Sequence, residues 1–203
     1  MLHVVDIPTT TKRSKIQPFL DLLVPLFQSH VTPSREISID ESMIAFRGRV
    51  AFRQYVKGKP QPWGIKAYVL SESTTGYMYN LAVYYGKETQ LIDTPGLNHT
   101  TKVVLTLMVP LANMGYDLYL DRFYTSPVVA SELLRIGTTV TGTVMCDKKG
   151  MPLATKSSRC KPRKGEAKTY YNGKMVVMQW TDKRTLTTIS TKYSNGMVSI
   201  PPR

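Results

Sequence analysis

Two short strings, each built around one aspartate, constrain the fold of this 203-residue chain most strongly. They are Ser38-Ile39-Asp40-Glu41-Ser42-Met43 and Leu120-Asp121-Arg122-Phe123-Tyr124-Thr125-Ser126. Each aspartate follows a stretch whose apolar pattern predicts a buried strand. The strings stand 81 residues apart, with a βββα-like pattern between them. Two strand-borne carboxylates that converge in space are the ligands that a pair of Mg²⁺ ions requires.

A simpler explanation of each aspartate stays open at this point. An isolated aspartate at a strand end commonly forms a turn or pairs with a surface cation. The neighbouring Glu41 is expected on the opposite face of a regular strand, in a structural or ion-paired role.

Hydrophobic periodicity predicts the remaining elements. A helix is expected over residues 15–30, kinked or interrupted at Pro25, because proline lacks the amide hydrogen that the helix needs. Another is expected over residues 101–113, and Ser126-Pro127 has the composition of a helix start. The whole order is βββαβαβ, followed by a basic, β-rich segment that ends in a hairpin.

The charge balance indicates a polyanionic partner. The net charge is +13 and the isoelectric point is about 9.8, which favours nucleic acid first and an anionic membrane surface second. No apolar run reaches the roughly 18 residues that a membrane span needs, so no membrane partner is expected. With two cysteines the chain is expected to be intracellular and reduced.

Two segments concentrate the basic residues. Residues 45–66 contain six lysines and arginines and no acid, and residues 147–174 contain nine against two acids. Aromatic residues are interleaved, as at Tyr55, Trp63, Tyr170 and Tyr171. A solvated face is the ordinary meaning of such runs, but this combination favours contacts to the phosphates of double-stranded DNA. The predicted DNA contacts are Arg47, Arg49, Arg53, Lys57, Lys59, Lys148, Lys149, Arg163 and Lys164.

Further strings occur in a fixed order between and after the two aspartates. They are Phe46-Arg47-Gly48-Arg49, Gln54-Tyr55, Lys59-Pro60, Gly64-Ile65-Lys66, Thr75-Gly76-Tyr77, Gly142-Thr143-Val144, Lys149-Gly150-Met151-Pro152, Trp180-Thr181-Asp182-Lys183 and Ser190-Thr191. In order and spacing the set resembles the piggyBac family of DNA transposases and the domesticated proteins derived from them. The likeness covers nearly the whole chain, from residue 15 to residue 191.

The resemblance implies an α/β, ribonuclease-H-like core in which three aspartates hold two divalent metal ions. Asp40 resembles the first of these aspartates and Asp121 the second. The family's third lies after the insertion, in a string like Gly-Gly-Val-Asp-x-x-Asp, which this sequence does not contain. Mg²⁺ or Mn²⁺ is therefore expected only where the complete site is assembled, and this chain alone is expected to be inactive.

The sequence departs from the family at two points. Arg122 stands where many members carry Asn, and Cys146-Asp147 stands where Asn-Arg is usual. An arginine beside the second aspartate would either depress the pKa of that carboxylate or compete with a metal ion for it. Asp182, which matches a different family position, is not interpreted as the third ligand.

The expected organisation has three parts. Residues 1–36 form a lead-in and helix, residues 37–146 a partial core, and residues 147–203 a basic insertion, with the final core helix missing.

Three interpretations stay open: part of a longer active transposase, a domesticated and inactive DNA-binding module, and a basic α/β RNA-binding protein. The resemblance implies a nuclear protein with DNA as partner, leaves a homodimer open, and implies no small-molecule substrate.

Overall fold

One mixed sheet of nine strands runs through the described part of the chain and joins segments that are distant in sequence. The structure is a computed structural model that describes residues 11–13, 16–58, 60–156 and 161–194. The strands are β1 Glu36–Ala45, β2 Gln54–Tyr55, β3 Trp63–Glu72, β4 Met78–Val83, β5 Asp117–Leu120, β6 Thr139–Thr143, β7 Ala167–Asn172, β8 Met175–Thr181 and β9 Thr185–Ser190. Their path in the sheet is β2-β3-β1-β5-β6-β9-β8-β7, and β4 pairs with β3.

The helices confirm the predicted order of elements. Those described are α1 Gln17–His30, α2 His99–Met108, α3 Pro127–Arg135 and α4 Leu153–Lys156. Apart from the two-residue β2, residues 36–143 follow the order βββαβαβ. None of the helices in this described part is long and apolar enough to cross a bilayer.

Polar caps start the two helices that follow core strands. The Asn98 side chain accepts a hydrogen bond from the backbone amide of Thr101, and Ser126 Oγ accepts one from Val129 at 3.1 Å. Both satisfy amide hydrogens that the first helical turn leaves unpaired. The Ser126-Pro127 prediction is confirmed, whereas the helix expected over residues 101–113 ends earlier, at Met108, and continues as a short 3₁₀ turn through Pro110.

The main core lies between the sheet and helices α2 and α3. Ile37 and Ile39 of β1 are at most 1% exposed and lie opposite Leu118 and Leu120 in the parallel neighbour β5. Alternation along a strand puts these four side chains on the same face. Buried residues of the two helices complete the cluster, among them Val103, Val104, Leu107, Val129 and Leu133.

Helix α1 differs from its prediction. It runs unbroken from Gln17 to His30 with Pro25 inside it, so the expected interruption is wrong. Pro25 is exposed, while Leu20 on another side of the helix packs against a second apolar cluster that includes Val83 and Tyr85. Packing of this face onto the sheet compensates for the backbone hydrogen bond that proline cannot make.

The segment after residue 146 continues the central sheet. Strands β7, β8 and β9 form an antiparallel meander, and β9 pairs antiparallel with β6 of the core. The Thr141 and Ser190 hydroxyls, 2.9 Å apart, add a side-chain hydrogen bond across this junction. The predicted hairpin arms are present, and β7 is an additional strand within the segment that sequence marked only as basic.

A buried ion-pair cluster holds the start of β5. Asp117 is 1% exposed, and its Oδ2 lies 2.9 Å from Arg35 Nε and 2.7 Å from Lys192 Nζ. Its Oδ1 accepts a hydrogen bond from Thr139 Oγ1 at 2.6 Å. The cluster therefore links the residue before β1, the starts of β5 and β6, and the segment after β9.

Candidate functional site

The pairing of β1 with β5 sets the two predicted aspartates side by side. The two strands run parallel, and their last aligned pair is Ile39 opposite Leu120. The next residue on each strand is Asp40 on one side and Asp121 on the other. Neighbouring strands lie about 5 Å apart, so this register makes residues 40 and 121 neighbours across the sheet. Both aspartates are exposed to solvent.

Asp40 lies within its strand, not after it. Sequence reasoning expected a strand that finishes at Asp40, but β1 continues to Ala45 because β3 pairs with it as far as Gly64. It is β5 that stops, at Leu120. Asp40 therefore marks the point where β1 extends beyond its parallel partner, with its Oδ1 accepting a hydrogen bond from the Glu41 amide at 2.8 Å.

Asp121 opens the turn that leads from β5 into α3. Its Oδ1 accepts hydrogen bonds from the amides of Phe123 at 3.0 Å and Tyr124 at 3.3 Å. Its carbonyl oxygen accepts one from the Thr125 amide and one from the Thr125 hydroxyl. Such hydrogen bonds from an Asp side chain to the backbone two and three residues ahead stabilise a turn. They also orient the carboxylate relative to β1.

A cavity of about 330 Å³ opens beside Asp121. Glu41 and Lys66 line it from β1 and β3, and Arg122 lines it from the turn after β5. Sequence reasoning expected Glu41 on the face opposite Asp40 and took it for structural, and so did not predict that it lines a cavity with Asp121. The sequence clue to this role of Glu41 was that it directly follows Asp40.

A buried tyrosine lies beneath these acids. Tyr124 is 1% exposed, and burial is the largest cause that raises the pKa of its phenol. The negative charge of Glu41 and the nearby Tyr68 raise the same pKa further, followed by the charges of Asp40 and Asp121. All three carboxylates are thus near enough to act on a single hydroxyl.

The acids fit part of a metal site. Within the residues that the structure describes, no group of three or more His, Cys, Asp or Glu side chains is arranged to hold a metal ion. Two adjacent carboxylates suit one hard divalent cation that keeps several of its waters. A site for two ions needs further oxygen ligands.

The first basic segment follows directly from the end of β1. Arg47, Arg49 and Lys57 are exposed, as their predicted contact with phosphates requires. Arg53 is half-buried, with its guanidinium 4.8 Å from the centre of the Trp63 ring. Lys59, also predicted to contact DNA, lies outside the described residues.

The second basic segment reaches the carboxylates through one lysine. Lys148 Nζ donates a hydrogen bond to the carbonyl of Phe123 at 3.0 Å, two residues beyond Asp121. Lys149, Arg163 and Lys164 are exposed, and no described contact brings them to the carboxylates. Of the contacts predicted in this segment, Lys148 alone has a described contact with the turn that follows Asp121.

Comparisons with known proteins identify the family to which the chain belongs. The family described as Transposase IS4 matches residues 1–201. Two human proteins, PiggyBac transposable element-derived protein 3 and the Chimeric ERCC6-PGBD3 protein, are each 28% identical in alignments of length 202 that cover 93% of this chain. The match covers 33% of the first and 18% of the second, so the chain spans a third or less of these relatives.

The fold is also similar to a solved structure. A cryo-EM structure of piggyBac transposase in a synaptic complex with hairpin DNA matches with a TM-score of 0.82 and 28% identity. The match covers 93% of this chain and 39% of the solved chain. The fold is accordingly the ribonuclease-H-like α/β fold of DDE-type transposases, which confirms the predicted fold class.

Proposed function

Because this chain belongs to the Transposase IS4 family, among its piggyBac-type members, we propose that it is a transposase-derived domain that binds double-stranded DNA. We propose also that it carries part of a two-metal site for DNA strand cleavage and strand transfer. The observation that carries the proposal is the parallel pairing of β1 and β5, which makes Asp40 and Asp121 neighbours.

Asp40 and Asp121 are the residues that would hold a divalent ion. Transposases of the DDE type generally use such ions, and carboxylate oxygens are the ligands that Mg²⁺ and Mn²⁺ prefer. When bound, the ion would activate an attacking water or 3′-hydroxyl and stabilise the leaving oxygen of the phosphodiester. The turn amides at Asp121 keep its carboxylate oriented, and Lys148 adds positive charge beside that turn.

Two carboxylates are fewer than two ions require. We therefore propose that this chain by itself does not cut DNA, and that cleavage needs a third carboxylate from outside the described residues. The alternative is a domesticated module that binds DNA and does not cleave. Its support is the missing three-ligand group among the described side chains. The similarity to transposases gives both proposals more support than the RNA-binding alternative has.

Metal titration tests the carboxylate pair. We expect Mn²⁺ to bind weakly, detected by the relaxation of water protons, and Asp40→Asn and Asp121→Asn each to abolish the binding. Asp93→Asn is the control, because Asp93 lies on a loop, its side chain is 97% exposed, and its ion-pair partner is Lys102 of α2. Unchanged Mn²⁺ binding in both site variants would contradict the metal role.

Duplex binding tests the basic surfaces. Fluorescence anisotropy with a labelled duplex should show affinity that falls steeply between 50 and 200 mM salt, since phosphate contacts release counterions. Replacing Arg47 and Arg49 by glutamine should weaken binding and lower the logarithmic salt slope by about one for each lost contact. Arg135→Gln, which removes an exposed cation paired with Glu132 on α3, is the matched control. A flat salt dependence would count against DNA binding.

DNA as partner implies that the protein acts in the nucleus. We propose this localisation on the same grounds as the DNA binding, and a homodimer remains a prediction. Imaging of the tagged chain, with the Arg47 and Arg49 variants for comparison, measures the localisation directly.

A further inference from the structure

We propose that an aromatic and cationic surface at the β2–β3 hairpin stacks against an unpaired nucleobase of a DNA strand. The surface consists of Arg53, Tyr55 and Trp63 and is called here the Trp63 platform. The inference rests on the proposed DNA binding and adds a ligand class to it, because the platform takes a base and not only a phosphate.

Cross-strand pairing builds the platform. Tyr55 of β2 lies directly opposite Trp63 of β3, and their ring centres are 5.0 Å apart at an angle of 55°. Arg53, two residues before Tyr55, carries its guanidinium 4.8 Å from the Trp63 ring centre. That distance is within the range of a favourable cation–π contact.

Backbone contacts hold the arginine in place. Arg53 Nη1 donates hydrogen bonds to the carbonyl of Arg47 at 3.2 Å and to that of Gly48 at 3.3 Å. The guanidinium is therefore held against the Trp63 ring before any ligand arrives. A surface that is already ordered loses less entropy when a planar base stacks on it.

The rings remain accessible to a partner. Trp63 is 50% exposed and Tyr55 is 55% exposed, although both belong to residue types that are normally mostly buried. An open groove of about 800 Å³ adjoins Trp63, and its lining also includes Phe46, Arg47, Arg53, Gln61 and Pro62. This volume accommodates a nucleotide.

Charge favours a nucleic acid strand as the occupant over a protein segment. Arg47 and Arg53 line the groove and, among the described residues, no acidic side chain does, so the groove complements a polyanion. Arg47 is positioned to meet a phosphate, and the Gln61 amide can both donate to and accept from a base edge. Aromatic side chains stack on bases of any sequence, since every base has a π-face.

The base must be unpaired. Inside a duplex both faces of each base are covered by its neighbours, and only a strand end, a loop or a single strand exposes a face. The platform is therefore expected to prefer a single strand or the open tip of a hairpin, whereas the remaining cations serve any duplex.

The two tryptophans of the chain make the test direct. They are Trp63 on the platform and Trp180 on β8. In Trp180→Phe the indole emission comes from Trp63 alone, and in Trp63→Phe it comes from Trp180 alone. We expect a short oligothymidylate to quench the first variant strongly and the second little, and a duplex long enough that almost every base pair is internal to quench neither.

Anisotropy supplies the affinities. Trp63→Ala should bind the labelled oligothymidylate about tenfold more weakly, while its duplex affinity stays within twofold of that of the parent. A thermal melt checks that this variant is folded, and the Trp180→Phe quenching does not depend on altering the platform.

The outcomes separate the two levels of proposal. If the protein binds duplex DNA but the oligothymidylate does not quench the Trp63 emission, the platform is overturned and the proposed function stays intact. Loss of all DNA binding at low salt would overturn both. A change in Trp63 emission with protein concentration, without DNA, would show that a second copy of the chain occupies the surface and would also overturn the inference.

Discussion

Gly142 shows how closely two backbones approach at the candidate site. It lies on β6 opposite Leu120, the residue before Asp121. A side chain at Gly142 would meet the Leu120 carbonyl oxygen and the Thr125 hydroxyl well inside van der Waals contact. Both atoms belong to the segment that presents Asp121, so β6 can pack there only without a Cβ.

We expect Gly142→Ala to lower the free energy of unfolding by about 1–3 kcal/mol, the usual cost of an overpacked site. Urea denaturation followed by circular dichroism measures this. Thr143→Ala, the next residue on the same strand, is the control and should cost less than about 1 kcal/mol. Equal losses in the two variants would mean that the chain relaxes around the added methyl group.

Asp117 should make stability depend on pH. Burial acts to raise the pKa of its carboxyl, but hydrogen bonds from Lys192 and Thr139 outweigh that effect. The positive charges of the same lysine and of Arg35 act in the same direction, so the pKa lies below its ordinary value. A carboxyl with a depressed pKa stabilises the fold above about pH 4 and loses that contribution as pH falls through its folded-state pKa.

The expected result is that Asp117→Asn costs about 1–2 kcal/mol at pH 7, because an amide keeps only part of these hydrogen bonds. The difference from the parent should shrink towards pH 3. Urea denaturation at both pH values measures it, with Asp93→Asn as the exposed control. A difference that does not change with pH would exclude Asp117 as the source.

For single residues, the sequence predicted candidates that lie in short local strings. It did not predict residues that tertiary packing brings to the same place. Asp40 and Asp121 were predicted because each follows an apolar alternation and lies in a string that resembles the family. Lys66 and Tyr124 were not found as neighbours of the acids, since their proximity depends on the β1–β3 register and on the turn into α3. Burial of the Tyr124 ring has no signature in a local pattern.

Among the elements, α1 carries a local cost at Pro25 that its packing onto the sheet offsets. Pro25 is exposed within an otherwise regular helix, and an interior proline is about 3 kcal/mol less favourable than alanine. We expect Pro25→Ala to raise the free energy of unfolding by about 1–3 kcal/mol, with a higher melting temperature measured by circular dichroism.

Leu22→Ala is the matched control in the same helix. Leu22 is 73% exposed, so its truncation should leave stability within about 0.5 kcal/mol. If Pro25→Ala destabilises the protein, the local shape imposed by proline is needed for the contact of α1 with β4, and the cost assigned to it is wrong.

Strand lengths were the weak point of prediction at this scale. The order βββαβαβ could be derived because apolar periodicity differs between strands and helices. The extension of β1 to Ala45 could not, because those residues are only partly buried and are held by pairing with β3. The pairing of β9 with β6 could not be derived either, since antiparallel contacts between distant segments leave no local pattern.

For the whole molecule, the continuous sheet predicts cooperative unfolding. Strand β9 joins β6 of the core to the β7–β8 pair, so the boundary expected at residue 147 is crossed by backbone hydrogen bonds. We expect Trp63 and Trp180, observed separately in the two single-tryptophan variants, to report the same urea midpoint. Trp63 lies on β3 and Trp180 on β8, on opposite sides of the junction.

Two midpoints would show that the meander unfolds independently of the core. Circular dichroism of each variant gives the reference for the whole chain and detects any stability lost with the tryptophan. A separation of the midpoints that exceeds this shift would support residues 147–203 as a unit of their own.

The register of β1 against β5 has a consequence for how a metal ion and the chain depend on each other. Asp40 and Asp121, which are 81 positions apart in sequence, become neighbours only after the segment between them has folded. A disordered chain offers the two carboxylates separately, so a cation held by both of them, as proposed above, would prefer the native state and would shift the folding equilibrium by mass action. The melting temperature should therefore rise with Mn²⁺ concentration. The affinity for Mn²⁺ then reports how completely the central sheet has assembled.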